Sequence, residues 1–351
     1  MDDRLGRKPD DVGESRIEKL LKVVPLASDS DNLFTNASPL WHPPGAQGIY
    51  GGICIAQSLN AAQATVPVAF AVHSMHGQFL LAGRADDKLV YRVCRASDGR
   101  SFATRKVDVI QKGEAIFTAM IGFARETTPT AERKHIQHSE PMPRDIPRPA
   151  DELGLEEEDL GYSGAFVNKK VGMINLDSNH VHEKRVHQWG RTRYRMSPSA
   201  GVHAHLAALA YISDCYFIGT IPHVHKIWDF VKPPQTEFDA GGPDLSQQSS
   251  RHSRIPASDE ETDQTPETPR IGMMVTLNHT MFFHAPRAVK ADEWMLSELA
   301  SHWAGHGRGV ATQKIWSKDS TLIATCIQEG VVRLADKGLH HGPGERSTSR
   351  L

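Results

Sequence analysis

Three polar side chains in the second half of this 351-residue chain stand on stripes that are otherwise apolar or small. Leu206, Ala210, Ser213, Asp214 and Phe217 fall at i, i+4, i+7, i+8 and i+11, the spacing of one helix face. A carboxylate on that face is withdrawn from water. This is costly unless the group is paired, hydrogen-bonded or neutral, and desolvation lifts its pKa toward the range of a general base. An Asp at the solvent edge of a helix end fits the same spacing. Leu322, Ala324, Cys326, Gln328, Gly330 and Val332 alternate onto one face of a strand, and Gln328 is the lone amide among them. A core Gln that satisfies a neighbouring backbone group would read the same way. Thr276 opens a strand-like run through Phe283, where threonine is common and alone means little. Together, a carboxylate, a hydroxyl and an amide can take a proton from a water and hold it by hydrogen bonds. Such a set suits attack on a thioester carbonyl.

These residues sit in the second copy of a repeat. His73-Ser74-Met75 is echoed by His279-Thr280-Met281, an offset of 206 (279 − 73). Gly99 to Val107 is echoed by Gly307 to Ile315 at 208 (307 − 99), and Ile116 to Ile121 by Leu322 to Ile327 at 206 again (322 − 116). A duplicated unit packs on itself with pseudo-two-fold symmetry, so one copy can carry chemistry while the other keeps the shape. At an offset of 206, Thr276 corresponds to Phe70 and Gln328 to Gly122. The first copy is thus expected to leave a hole where the second has an amide.

The elements that must position these groups follow from the pattern. Ile17 to Val24 has helical spacing, and Gly51-Gly52 precedes a strong helix through Ala62. Strand-like runs follow at 69–81, 88–97, 101–111 and 114–124, with Asp98-Gly99 and Lys112-Gly113 as turns. The second unit reads as strands 165–174 and 185–195, a helix 202–218, then strands 271–284, 292–303, 308–317 and 320–334. The expected organisation is a polar tail at 1–16, one unit at 17–127, a Pro-rich and acidic linker at 128–160, a second unit at 161–335, and a tail at 336–351. Within the second unit, 232–270 is so poor in large apolar residues that disorder is expected. One helix against an antiparallel sheet, twice over, is an α+β arrangement; two such sheets joined edge to edge make a double hotdog.

The order Gly51-Gly52, Ala56-Gln57, His73-Ser74-Met75-His76, Asp98 through Arg105, Tyr211-Ile212-Ser213-Asp214, Thr276-Leu277-Asn278-His279 and Gln328-Glu329-Gly330 resembles the acyl-CoA thioesterase II family, which includes a bacterial enzyme and peroxisomal relatives. The resemblance covers roughly 17–125 and 165–335, apart from the 232–270 insertion. It implies a double hotdog that hydrolyses acyl-CoA to a free acid and CoA. The family's catalytic Asp, Thr and Gln fall on Asp214, Thr276 and Gln328. Asn278 is a departure, since members commonly have Asp at that place. Further association of the chain into a homo-oligomer is expected by resemblance as well.

Other readings are bounded by composition. Net charge is −2, so no global basic field steers the chain to nucleic acid. No run approaches the length of a membrane span. The N-terminus lacks an apolar core and is no secretory signal. The four cysteines lack metal-ligand or disulfide spacing, and the nineteen histidines, though paired at His180/His182 and His203/His205, lack zinc-type partners. Neither metal nor cofactor is expected. Gly305-His306-Gly307-Arg308-Gly309 misses the dinucleotide pattern and reads as a hairpin, with Arg308 a candidate for a CoA phosphate. Ser349-Arg350-Leu351 at the C-terminus matches a peroxisomal address read by an import receptor. No Gly-x-Ser-x-Gly elbow is present, which argues against a thioesterase of the α/β-hydrolase type. A non-catalytic acyl-CoA-binding or scaffolding protein, or a hotdog hydratase using His203 or His205, remain as alternatives.

Overall fold

A computed structural model describes residues 13–26, 32–40, 48–126, 136–150, 165–227, 229–230 and 269–335. The expectations for the N-terminal tail before residue 13, for nearly all of the 232–270 insertion and for Ser349, Arg350 and Leu351 lie outside these residues.

The first half contains α1 (Arg16–Leu21), β1 (Val23–Pro25), β2 (Leu33–Asn36), α2 (Gly51–Gln63), β3 (Phe70–Phe79), β4 (Val90–Asp98), β5 (Phe102–Gln111) and β6 (Glu114–Arg125). The second contains β7 (Phe166–Ile174), β8 (Arg185–Thr192), α3 (Val202–Ser213), α4 (Thr220–Val224), β9 (Asp229–Phe230), β10 (Arg270–Phe283), β11 (Met295–Gly305), β12 (Arg308–Trp316) and β13 (Leu322–Leu334). Among the described residues the strands form one continuous sheet in the order β1-β2-β4-β5-β6-β3-β10-β13-β12-β11-β8-β7. All pairings are antiparallel except that of the short β9 with β10. The halves join where β3 meets β10, with Met75 opposite Met281. This is the edge-to-edge joint anticipated from the repeat.

Helices α2 and α3 are small and apolar nearly all round, as befits helices enclosed by a sheet rather than lying on its surface. They pack antiparallel. At one end the Tyr50 hydroxyl donates to Tyr211 O at 2.9 Å, and at the other Gln63 Nε2 donates to His203 O at 3.4 Å. The N-terminus of α2 therefore abuts the C-terminus of α3. Gly51 and Gly52 make this approach possible: a Cβ on Gly52 would lie 2.7 Å from Tyr211 O.

Two expectations change. The helix read as 202–218 ends at Ser213; Asp214 is its C-cap, and Tyr216 enters the left-handed region with φ 60°, which turns the chain into α4. The second correction concerns Gly122. It lies on the outer face of the sheet, opposite Ser74, and the inner position belongs to the fully buried Phe123. Ala103 pairs with Phe123 just as its echo Ala311 pairs with Gln328. The structural counterpart of Gln328 is thus Phe123, and the first unit has a filled core there instead of a hole.

The linker also has structure. Residues 136–150 run over the second unit's sheet, away from the helices. Three indoles donate to its carbonyls: Trp316 to Glu140 O at 3.1 Å, Trp189 to Pro147 O at 2.9 Å and Trp294 to Ala150 O at 3.4 Å. Met142 and Ile146 pack against Trp189, Trp294 and Leu296, a cluster separate from the main core.

Candidate active site

The site forms where three elements converge: the end of α3, the start of α2 from the other half, and the inner face of β10 and β13. Asp214 is both helix-terminal and buried, so the two readings of its spacing are not exclusive; its side chain keeps 7% of its surface exposed. Gln328 is wholly buried and donates from Nε2 to Asp214 Oδ1 at 2.7 Å. On the other side the Gly52 backbone N–H donates to the same carboxylate. A Cβ on Gly51 would fall 2.8 Å from Asp214 Oδ2, so the carboxylate is pressed against the helix start.

These contacts oppose one another electrostatically. Burial pushes the Asp214 carboxyl up, while the Gln328 and Gly52 donors pull it down; burial wins and the pKa reaches about 6. The α2 macrodipole adds partial positive charge at the same place. The carboxylate is therefore ionised at neutral pH yet basic enough to accept a proton.

Thr276 reaches the same face through a bulge. Thr276 pairs with Gly330 and Asn278 with Glu329, leaving Leu277 as the extra residue. Gly330 faces inward, since a Cβ there would lie 2.6 Å from Ile218 Cδ1, so its partner Thr276 faces inward as well. Thr276 is half-buried and makes no hydrogen bond to Asp214 or Gln328 among the described residues. The structure thus joins Asp214 and Gln328 directly and sets Thr276 two ladder steps along the same face.

Arg308 lies elsewhere. Its guanidinium is paired with Glu329 at 2.6 Å and stacks over the Trp303 ring at 5.8 Å. Glu329 alternates with the inward Gln328, so this pair is on the outer face at the β11–β12 hairpin. Asn278, the departure from the common Asp, also donates to Glu329, at 3.1 Å, and faces away from Asp214.

His279 was legible only as a marker of the repeat. It is buried, with Nε2 3.1 Å from Ser213 Oγ and Nδ1 3.4 Å from Gln328 Nε2. Burial pushes its pKa down to about 3, so the 4.0 Å approach of Nδ1 to Asp214 Oδ1 is not an ion pair at neutral pH. Its alternation with Met281 and Phe283, both buried, was the available signal. Cys54 on α2 is also close; burial and the Asp214 charge push its thiol up to about 12, which leaves it protonated and inert as a nucleophile.

A buried carboxylate bonded to an amide and to a helix start, on the inner face of a helix-filled double sheet, defines a hotdog protein equipped for acid–base chemistry. Comparison with known proteins is narrower. Residues 38–124 match the family model described as acyl-CoA thioesterase N-terminal domain, and residues 143–332 match acyl-CoA thioesterase C-terminal domain. The chain belongs to the acyl-CoA thioesterase family. It is 28% identical over 343 residues to acyl-coenzyme A thioesterase 8 of Mus musculus, covering 92% of this chain and 91% of that protein. It is 26% identical over 357 residues to the peroxisomal acyl-coenzyme A thioester hydrolase 1 of Saccharomyces cerevisiae, covering 91% and 94%. Among solved structures, the acyl-CoA thioesterase II TesB2 of Mycobacterium marinum superposes with a TM-score of 0.63 at 26% identity, over 92% of this chain and 98% of that one. A protein from Alicyclobacillus acidocaldarius described as having a hot dog fold superposes at 0.55 with 17% identity, which bears on the fold alone.

Proposed function

We propose that this chain hydrolyses acyl-CoA thioesters to free acid and CoA, with Asp214 as the base. The observation that carries the reading is the buried Asp214 carboxylate, held by Gln328 and Gly52 and pushed up to about 6. A water beside it is oriented by Gln328 and by the Thr276 hydroxyl. As the water oxygen bonds to the thioester carbonyl carbon, its proton passes to Asp214. The carbon–sulfur bond then breaks, and the departing CoA thiolate takes that proton back. Negative charge on the carbonyl oxygen would be met by the Gly51 backbone N–H at the start of α2, since the Gly52 N–H holds Asp214 and the Ile53 N–H donates to Tyr50 O. No covalent enzyme intermediate is formed.

The test is thiol release from a panel of acyl-CoAs by the purified chain, with Asp214→Asn and Gln328→Ala alongside. Hydrolysis that survives Asp214→Asn would sink the base assignment. Tight acyl-CoA binding with no thiol release by the unmodified chain would instead leave a scaffolding role.

Three further expectations belong to this reading. Arg308 contacts a CoA phosphate by exchanging its exposed Glu329 pair, so Arg308→Gln raises KM and spares kcat. Ser349, Arg350 and Leu351 direct the chain to the peroxisome, in line with the printed name of the yeast relative; a fluorescent fusion ending in these residues should be punctate, and one lacking them diffuse. The chain associates further with itself, and light scattering should return a multiple of 38.8 kDa.

A further inference from the structure

Gln328 has two ways to stand. With its NH2 toward Asp214 it donates to the carboxylate; with its carbonyl there, two oxygens oppose each other unless Asp214 is protonated. The two ends of an amide have nearly the same shape, so neighbours make the choice. Here they leave one answer. Ser213 Oγ donates its only proton back along the helix to Ala210 O at 2.9 Å. Toward His279 Nε2, 3.1 Å away, Ser213 can then only accept, so Nε2 carries the proton. A buried neutral imidazole has one ring proton, and Nδ1 is left as a bare acceptor. Nδ1 faces Gln328 Nε2 at 3.4 Å, while the same nitrogen donates its other proton to Asp214 Oδ1 at 2.7 Å. The Phe217 ring meets the imidazole edge-on at 5.7 Å and restricts its rotation. Gln328 Oε1 is then buried with no partner among the described residues, an acceptor kept open beside the base.

We infer that His279 and Ser213 are positioning residues that fix the Gln328 amide, so that its NH2 grips Asp214 and its Oε1 is held ready to accept from the attacking water. The inference rests on the water-activating reading of Asp214 and adds how the amide is oriented. Neither His279 nor Ser213 touches substrate. Their effect passes through the Gln328–Asp214 pair and should fall on turnover, not on binding.

The experiment follows decanoyl-CoA hydrolysis by the full chain as thiol release, with melting temperature for each variant. His279→Phe keeps an aromatic ring and removes the acceptor; kcat should fall about 10²-fold with KM within about twofold. His279→Asn restores an oxygen near the place of Nδ1 and should recover about tenfold of that loss. Ser213→Ala frees the ring to adopt the other tautomer and should lower kcat by roughly 3- to 10-fold. In histidine-15N-labelled protein, NMR should show the signal absent from His279→Asn as a ring with bare Nδ1 and protonated Nε2. A reversed tautomer, a His279→Phe variant at wild-type kcat, or His279→Asn no better than His279→Phe at equal stability would each overturn the inference. If His279→Phe does not fold, Ser213→Ala and the tautomer decide. Asp214→Asn separates the two levels. If it is inactive while His279→Phe is unimpaired, only the positioning inference falls; if it is active, the base and the inference fall together.

Discussion

The two halves of the molecule share a backbone plan and differ at the places where chemistry would occur. Asp214 caps α3 where Ala64 caps α2. Gln328 faces inward beside Ala311, and Phe123 beside Ala103. Thr276 pairs with Gly330, and Phe70 with Arg125. The histidines differ without differing in sequence. In β10 the bulge falls at Leu277, two residues before His279; in β3 it falls at His73 itself. Moving the extra residue by two positions exchanges faces for the residues between. His279 is buried behind Gln328, whereas His73 is exposed, and Val72 fills the inner position. At these positions one half has apolar side chains, Val72 and Phe123, and the other has a hydrogen-bonded polar cluster. Such a cluster costs stability, because each buried polar group needs a partner. At the positions that match Gln328 and His279 the first half bears none of this cost, although it buries Arg105 and Gln57 elsewhere, and α2 serves the second half's site through Gly51 and Gly52.

The largest effect expected from testing this contrast comes from Asp214→Asn. Removing the base should lower kcat by about 10²- to 10⁴-fold. The same change should remove a pH dependence from the stability of the protein. The folded carboxyl sits at about 6, above its unfolded value near 3.9, so the native state holds the extra proton in that window. Stability from this group is present below about pH 4 and is lost as pH rises through 6. Melting curves should therefore show wild type gaining on the order of 2 kcal/mol relative to Asp214→Asn between pH 8 and pH 4, beside a pH-independent cost for the amide, whose single oxygen serves only one of the Gln328 and Gly52 donors. A stability difference that does not change between pH 8 and pH 4 would mean that Asp214 is solvated rather than buried.

Gln328→Phe copies the first half into the second. With Ala311 beside it, as Ala103 stands beside Phe123, the ring has a precedent on that side, though it meets His279 where Phe123 meets Val72, and kcat should drop about 10²-fold while the fold persists. A fully active Gln328→Phe would mean that the contrast between the halves has no catalytic meaning. Short of mutation, the pH profile tests the same pair. With Asp214 at about 6, kcat should be level above pH 7 and fall tenfold per unit well below 6. A rate independent of pH down to 4 would exclude Asp214 as the base. Thr276→Val sits lower on the scale. One hydroxyl contributing one hydrogen bond to the water predicts a loss of roughly 3- to 10-fold in kcat, read by the same thiol assay.

How much of this was legible in the sequence depended on whether a feature is local. Alternation along 102–111 and the turn at Lys112-Gly113 write β5 and β6 directly, and the apolar helices at 51–63 and 202–213 could hardly have been anything else. Asp214 and Gln328 stood out because each breaks a periodic stripe. The bulges did not stand out: an extra residue in one strand is defined only against its partner strand. Counting along the chain therefore matched Gln328 to Gly122, while pairing across the sheet matches it to Phe123. The same blindness hid His279, whose orientation is set by where the bulge falls rather than by its own type. The linker was read as a linker, but its contacts with the sheet were missed for a related reason. Its prolines announce irregular backbone, but three tryptophans more than thirty residues away supply its donors.

The outer surfaces give a last and smaller contrast. Over the second half, residues 136–150 cover the sheet around β8, β12 and the start of β11, anchored by Trp189, Trp294 and Trp316, while Trp303 and Ile327 stay 43% and 38% exposed. Over the first half, Phe102 and Met120 are 63% and 42% exposed. If the strap simply substitutes for solvent over an apolar face, its hydrogen bonds are a matter of stability alone. Trp189→Phe keeps the aromatic surface and removes the donor to Pro147 O. One lost hydrogen bond predicts a cost of about 1 kcal/mol, or about 1–2 °C in melting temperature for a chain of this size. The thiol-release rate should not change, since the strap lies across the sheet from Asp214. A Trp189→Phe chain with normal melting but impaired turnover would show that the covered face communicates with the site, and the division between a structural outer layer and a chemical inner one would have to be redrawn.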